Sequence, residues 1–423
     1  MDIHVVQPNE TVATIAQQYG VGIERLIFDN QIVDITKLVV GQALLILYPE
    51  ITHQVEAGDT LYTIANEYGV TTLDLIRNNP YLVGESTLLP GQNIIIRYED
   101  EVIGTMETNG YVYPFVENYV LTETLPYLTS LSIFSYGFTM EGELIPIDDE
   151  ALIAQTLEMR VNPILVLTPF SVYGSFNNEL VHVVSTDPVV QENLINNLLV
   201  TVREKGYTGV DVDFEFIRAE DREPYAGFIR NLTTRMNAEG YTVSVALAPK
   251  VSADQPGLLY EGVDYALLGE IANSVLLMTY EWGYTYGPPM AVAPINKVRE
   301  VLDYAVTAIP PEKIDMGIPN YGYDWPLPFE KGVTAARSIG NVEAIQIAAA
   351  NNAVIQYDEV AQSPFFTYNR EGVEHIVWFE DVRSILAKLK LIPEYGFRGV
   401  GYWQLMRFFR QNWLLVNALF NIV

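Results

Sequence analysis

At 423 residues the chain is long enough for two or more domains, or for one large barrel with small additions. It carries 53 acidic against 24 basic residues, a net charge of −29 that repels phosphate backbones and anionic lipid and so argues against nucleic-acid and membrane partners. Cysteine is absent, which removes disulfides, thiolate nucleophiles and cysteine-ligated metals. No apolar run approaches the ~18 residues of a bilayer span. The start, Met1-Asp2-Ile3-His4, lacks the basic and apolar regions of a signal peptide, so standard secretory export is not expected. The four histidines (His4, His53, His182, His375) show no metal-ligand spacing, and no glycine-rich phosphate loop is present. Neither a metal nor an organic cofactor is expected; carboxylate chemistry on a neutral or weakly charged substrate remains.

The first hundred residues repeat. His4-Val5-Val6, Thr11, Ile15-Ala16, Tyr19-Gly20-Val21, Leu26, Asn30 and Gly41-Gln42 return as His53-Gln54-Val55, Thr60, Ile64-Ala65, Tyr68-Gly69-Val70, Leu75, Asn79 and Gly91-Gln92. So short a period means two small units, 1–49 and 50–98, each reading as strand, helix, helix, strand. Thr11 and Thr60 are the expected caps of the first helices, and Gly20 and Gly69 their stops. These units resemble LysM modules, which bind N-acetylglucosamine-containing glycans such as peptidoglycan and chitin. The resemblance places the sugar between the first loop (Pro8-Asn9-Glu10-Thr11; Ala57-Gly58-Asp59-Thr60) and the second (near Gln31 to Ile35; Pro80 to Val83). It implies Asn9, Thr11, Asp59 and Thr60 as glycan-binding positions. Structural spacers or protein-docking modules are the alternative, since fold alone does not fix function. Two weak tandem sites would gain avidity on a polymer.

The acidic, aperiodic stretch 99–109 reads as a linker. From residue 110 to 423, eight apolar strands alternate with helical runs: Gly110–Phe115, Leu131–Gly137, Pro163–Thr168, Gly209–Phe216, Val243–Ala248, Ser274–Tyr280, Asp315–Pro319 and Gly399–Leu405. That pattern predicts an α/β (β/α)8 TIM barrel, with a small α+β insertion around 320–381.

The fourth strand carries the chemistry. Alternation puts Val210, Val212, Phe214 and Phe216 on one face and Asp211, Asp213 and Glu215 on the other. Carboxyls roughly 6–7 Å apart along a strand resist ionising together, so at least one pKa should rise. A solvated edge strand would also carry such a face. A strand between two helical runs (Val189 to Glu204, Glu223 to Asn237) belongs instead to a buried parallel sheet, where acids conflict with burial unless they do chemistry.

Thr208-Gly209-Val210-Asp211-Val212-Asp213-Phe214-Glu215 resembles the DGxDxDxE signature of family-18 glycoside hydrolases, the chitinase family. Met278-Thr279-Tyr280-Glu281, Gly317-Ile318-Pro319-Asn320-Tyr321-Gly322 and Gly399-Val400-Gly401-Tyr402-Trp403 resemble its motifs on strands six, seven and eight. The resemblance implies a retaining, substrate-assisted mechanism. Glu215 would be the general acid, Asp213 the group that holds the sugar's acetamido, and Asp211 its proton-sharing neighbour. Tyr280 would donate to the acetamido oxygen and Trp403 would floor the site, with Glu281, Asn320 and Tyr321 as further substrate contacts. Three positions depart from the pattern: Thr208 for the first Asp, Phe214 for Trp, and Glu281 for Asp, the last able to alter which sugar is accepted.

Two LysM-like modules ahead of such a domain resemble the layout of the SleL/YaaH group of spore cortex-lytic enzymes of endospore-forming bacteria. That layout implies an N-acetylglucosaminidase cutting β-1,4 bonds after GlcNAc in cortex peptidoglycan during germination. It further implies a place at the coat/cortex boundary of the spore, synthesis in the mother cell without a signal peptide, and spore coat proteins as candidate partners. A chitinase, a chitinase-like lectin and a structural coat protein are the alternatives. The glutamate at the end of the row, Glu215, separates an enzyme from a lectin.

Overall fold

The computed structural model describes residues 1–84, 87–99, 102–170 and 176–423. Its centre is a closed barrel of eight parallel strands: β1 (Gly104–Val112), β2 (Ser130–Phe138), β3 (Asn162–Leu167), β4 (Gly209–Val212), β5 (Thr242–Leu247), β6 (Ser274–Leu277), β7 (Ile314–Pro319) and β8 (Gly399–Trp403). Each pairs in parallel with the next, and β8 pairs back onto β1. All eight lie where the apolar runs placed them, but several differ in extent: β6 stops at Leu277 rather than Tyr280 and β8 at Trp403 rather than Leu405, and two further differences bear on the site. β1 begins at Gly104 rather than Gly110, so most of the expected linker is strand (residues 100–101 lie outside the described residues). The β4 ladder ends at Val212 rather than Phe216, which leaves Asp213 and Glu215 beyond the strand, on the rim.

Local chemistry sets the elements around β4. The helix Pro188–Lys205 starts with Asp187, whose carboxylate accepts from the Val189 and Val190 amides, and stops at Gly206 in the left-handed region. After β4 the chain enters the helix Arg222–Ala238. Phe214 points outward and stacks on Phe138, Tyr225 and Phe228 at ring-centroid distances of 5.7, 5.7 and 6.0 Å. Those contacts anchor the strand end to the helix layer, so the apolar Phe214 serves where the family pattern has Trp.

The expected insertion is a five-stranded antiparallel sheet, Arg337–Ile339, Gly322–Pro326, Val373–Trp378, Ser363–Arg370 and Gln356–Asp358 in spatial order, with the helix Asn341–Asn351. The repeat also folds as read. Thr11 and Thr60 cap the helices Val12–Tyr19 and Leu61–Tyr68, and Gly20 and Gly69 end them at φ 68° and 66°. Each module closes a two-stranded antiparallel sheet. His4 lies between Tyr19 and Glu10, and His53 between Tyr68 and Asp59, in the same arrangement.

Both modules are docked on the barrel. The Gln411 amide donates to Asn30 Oδ1 (2.6 Å) and the Ala43 carbonyl (3.0 Å), and the Arg410 backbone N–H donates to Gln31 Oε1 (2.6 Å). The Ile355 N–H of the insertion donates to the Val40 carbonyl (2.9 Å). Arg25 of the first module donates to the Asn78 carbonyl and the Tyr98 hydroxyl of the second. Among the described residues, no helix is long and apolar enough to cross a membrane.

Candidate active site

The rims of the C-terminal strand ends enclose a cleft of about 520 Å³, within the usual range for a small-molecule site. Barrel enzymes build their active sites at this face. Asp213, Glu215, Tyr280, Glu281 and Trp403 line it, so the structure brings five of the sequence-predicted residues together.

Asp211 stands one strand step deeper and is buried. It is held by the Tyr111 hydroxyl (2.9 Å) on one oxygen and the Ser244 hydroxyl (2.6 Å) on the other. Burial raises its pKa while these two donors pull it down. Asp213 is 6% exposed and its Oδ1 has no hydrogen-bond partner. Burial first, then the charges of Glu215 and Asp211, push this carboxyl well above the usual range. Glu215 is raised to about 7 by burial, with the charge of Glu281 adding to it. A carboxyl of that kind stays protonated near neutral pH and can give a proton away.

Two backbone positions that follow the key side chains are strained. Phe216, after Glu215, has φ 57°, and Glu281, after Tyr280, has φ 66°. Bulky residues in this region cost energy, and such outliers cluster at functional sites. The Tyr280 ring fits because Gly317 faces it: a Cβ there would lie 2.7 Å from a ring carbon and 2.5 Å from the Leu277 carbonyl. That close approach explains the glycine of the strand-seven motif.

The floor is aromatic. Trp403 packs against Phe134, Tyr111 and Tyr113 at 5.0, 5.7 and 6.1 Å. Of the five tryptophans, Trp282 and Trp403 reach the cleft. Trp325 and Trp413 are buried, and Trp378 stacks on Phe365 in the insertion.

Asn320 and Tyr321, expected as substrate contacts, do not line the cleft. Asn320 is buried; its amide donates to the Arg407 carbonyl (2.7 Å) and its backbone N–H to the Trp403 carbonyl (2.9 Å), which fixes the end of β8. Tyr321 donates its hydroxyl to Glu281, and Tyr323 donates to the same carboxylate at 3.0 Å. Glu281 is therefore held by two phenols; burial still raises its pKa, and the two hydrogen bonds offset only part of that rise. In the modules, the Thr11 and Thr60 hydroxyls accept from the Thr14 and Thr63 amides, and Asp59 accepts from the Glu56 amide. These side chains shape their own loops. Asn9 is exposed, with φ 71°.

Sequence reasoning missed Tyr111, Tyr113, Phe134, Ser244 and Tyr323. Tyr111 and Tyr113 alternate at the end of β1, a spacing visible in the chain. Ser244 carried no signal, since its partner is set by register across the barrel, and neither did Tyr323, which reaches Glu281 from the sheet of the insertion.

The profile of Glycosyl hydrolases family 18 matches residues 170–407. The chain belongs to this family. The LysM domain profile matches residues 4–46 and 53–97. The chain is 40% identical to "Cortical fragment-lytic enzyme" of Bacillus subtilis (strain 168), the alignment covering 100% of this chain and 99% of the relative. It is 36% identical to "Putative sporulation-specific glycosylase YdhD" of the same organism, with 100% and 99% covered. The fold superposes on the crystal structure of the Bacillus megaterium QM B1551 spore cortex-lytic enzyme SleL with a TM-score of 0.84, at 37% identity, covering 100% of this chain and 98% of that one. This family 18 member is a glycoside hydrolase with two LysM domains ahead of its barrel.

Proposed function

We propose that this family 18 hydrolase is an N-acetylglucosaminidase that cuts β-1,4 bonds after GlcNAc in spore cortex peptidoglycan during germination. The observation that carries the reading is the carboxyl row at the end of β4: a protonatable Glu215 beside a buried Asp213 whose Oδ1 lacks a partner, in an aromatic cleft. The full-length likeness to cortex-lytic relatives supports the substrate, and the two LysM domains suit a long glycan. That placement is the spore; synthesis in the mother cell and contacts with coat proteins belong to the same reading.

Glu215 donates its proton to the glycosidic oxygen as the bond breaks. The acetamido oxygen of the sugar attacks the anomeric carbon from the opposite face, so the enzyme supplies no nucleophile, an exception to the two-carboxylate scheme. Asp213 takes the acetamido N–H on its free oxygen and keeps the group in line, sharing a proton with Asp211. Tyr280 donates its hydroxyl to the acetamido oxygen while Trp403 packs under the ring. Water then opens the oxazolinium ring with Glu215 as base, so the β configuration is kept. Glu281, pinned by Tyr321 and Tyr323, contacts the neighbouring sugar.

Mass spectrometry of products from purified cortex fragments tests this. Wild type should release muropeptides with a reducing-end GlcNAc, and Glu215→Gln should release almost none while still binding fragments. Muropeptides ending in reducing muramic acid would sink the bond assignment. Binding by wild type without cutting would make the barrel a lectin.

A further inference from the structure

The loop between β5 and the helix Tyr265–Ile271 runs over residues 248–264 with no helix or strand of its own. Loops of this length in a compact domain are uncommon and usually functional. This one is organised by Lys250. The residue is 1% exposed, and its Nζ donates to the carbonyls of Ala253 (3.1 Å), Tyr260 (3.1 Å) and Val263 (2.7 Å). An ammonium has three donors, and here each finds a carbonyl of the same loop. A buried charge is costly unless its hydrogen bonds are met. The loop is therefore confined to the path that brings those carbonyls to one point.

That path lays the loop beside the acid. A Cβ on Gly262 would lie 2.3 Å from the carbonyl of Ile217, two residues past Glu215. Arg222, which opens the next helix, donates to Asp264 at the loop's end (3.0 Å). Leu259 and Tyr260 line the cleft together with Glu215. Tyr260 is half-buried, and among the described residues its hydroxyl has no hydrogen-bond partner. β5 lies opposite β1 in the ring of eight strands, so Tyr260 stands across the cleft from Tyr113 and the Trp403 floor. In the mechanism above, that floor carries the sugar whose acetamido attacks. Glu215, on the strand next to β5, protonates the oxygen of the sugar that leaves.

We propose that Tyr260 binds the leaving sugar through its hydroxyl, and that Lys250 is the positioning residue that holds Tyr260 in place. The inference rests on the proposed role of Glu215 as general acid toward a GlcNAc-containing glycan. A phenol offers that sugar a hydrogen bond and an apolar edge without adding charge. This suits a neutral ring in a cleft already lined by Asp213, Glu215 and Glu281.

The test compares full-length wild type, Tyr260→Phe, Lys250→Met and the double variant on two soluble substrates, with melting measured alongside. One is a GlcNAc oligosaccharide, whose leaving group is a sugar; the other is the nitrophenyl glycoside of the GlcNAc disaccharide, whose leaving group is not. Tyr260→Phe should lower kcat/KM on the oligosaccharide by about 3- to 10-fold, mostly through KM, and leave nitrophenol release within about twofold. Lys250→Met should lose at least as much on the oligosaccharide alone. Adding Tyr260→Phe to it should cost nothing further, since residues that act through one contact are not additive. Equal losses on both substrates with Tyr260→Phe, or no loss on either, overturn the leaving-sugar contact. Additive losses, or a Lys250→Met loss shared by both substrates with lowered melting, overturn the positioning role. Should Lys250→Met not fold, Lys250→Arg, whose planar fork cannot bring three donors to one point, serves for the same comparison. Wild-type hydrolysis of cortex fragments is measured first, and its absence overturns the proposed function itself and this inference with it.

Discussion

Glu215 lies under two opposing demands, since burial favours its neutral form while the proposed mechanism needs it to lose and regain a proton. Its ordinary pKa of 4.5 is raised to about 7 in the folded chain. Activity should therefore fall as pH rises through about 7, where the acid loses its proton. The same shift bears on stability. Between 4.5 and 7 the folded protein holds more protons than the unfolded chain, so stability declines as pH rises through that window. Glu215→Gln removes this penalty. The variant should melt above wild type at about pH 8 and alongside it at about pH 4, and equal melting at both would refute the buried acid. Removing the Tyr280 hydroxyl with Tyr280→Phe should lower kcat by about 10²-fold, as for other lost donors, with little change in KM. A change confined to KM would reduce Tyr280 to a packing residue. Asp213, Glu215, Tyr280 and Trp403 were legible because their motifs fix both residue type and strand end. Asn320 and Tyr321 share such a motif, yet they act on Trp403 and Glu281 through contacts that spacing alone does not show.

At the scale of elements, alternation located the strands well and their ends poorly. The face pattern of Asp211, Asp213 and Glu215 persists past Val212, where the hydrogen-bond ladder stops, so the chain looks like strand after pairing has ended. β1 extends ahead of its apolar run through the largely polar Gly104 to Asn109; in a barrel with a polar lower chamber, that composition is what inward positions carry. The repeat explains Asn9 by a similar route. Its counterpart 49 residues on is Gly58, and both have positive φ, 71° and 101°. The loop demands this conformation, which glycine adopts freely and asparagine tolerates. Asn9→Gly should leave stability nearly unchanged, whereas Asn9→Val should cost about 1–2 kcal/mol by denaturant unfolding. The reverse order would show that the Asn9 side chain, not its backbone, matters to the fold. Thr60→Ala should cost about 1 kcal/mol through the lost cap.

For the whole molecule, two modules and a barrel could be read from the chain, but not that they are docked. The contacts joining them link residues hundreds of positions apart, Gln411 with Asn30 and Arg383 with the Gly41 carbonyl, and leave no periodic trace. Gly41 is the tightest point, where a Cβ would meet the Ile355 carbonyl at 1.9 Å and φ is 87°. Gly41→Ala should loosen the first module, seen as faster limited proteolysis near Pro49 and Glu50, while hydrolysis of short oligosaccharides is retained. Cleavage at the wild-type rate would show that the remaining docking contacts suffice. A fixed module also means that a glycan held there has a set path relative to the cleft, which a flexible tether would not impose.

The most direct test of substrate-assisted hydrolysis by the carboxyl row is time-resolved proton NMR of the first-formed reducing end, using wild type and Glu215→Gln at near-neutral pH. Wild type should produce the β anomer first, with α appearing only by mutarotation, and the variant should be slower by on the order of 10²–10⁴. An α anomer formed first, or a variant as fast as wild type, would contradict the mechanism.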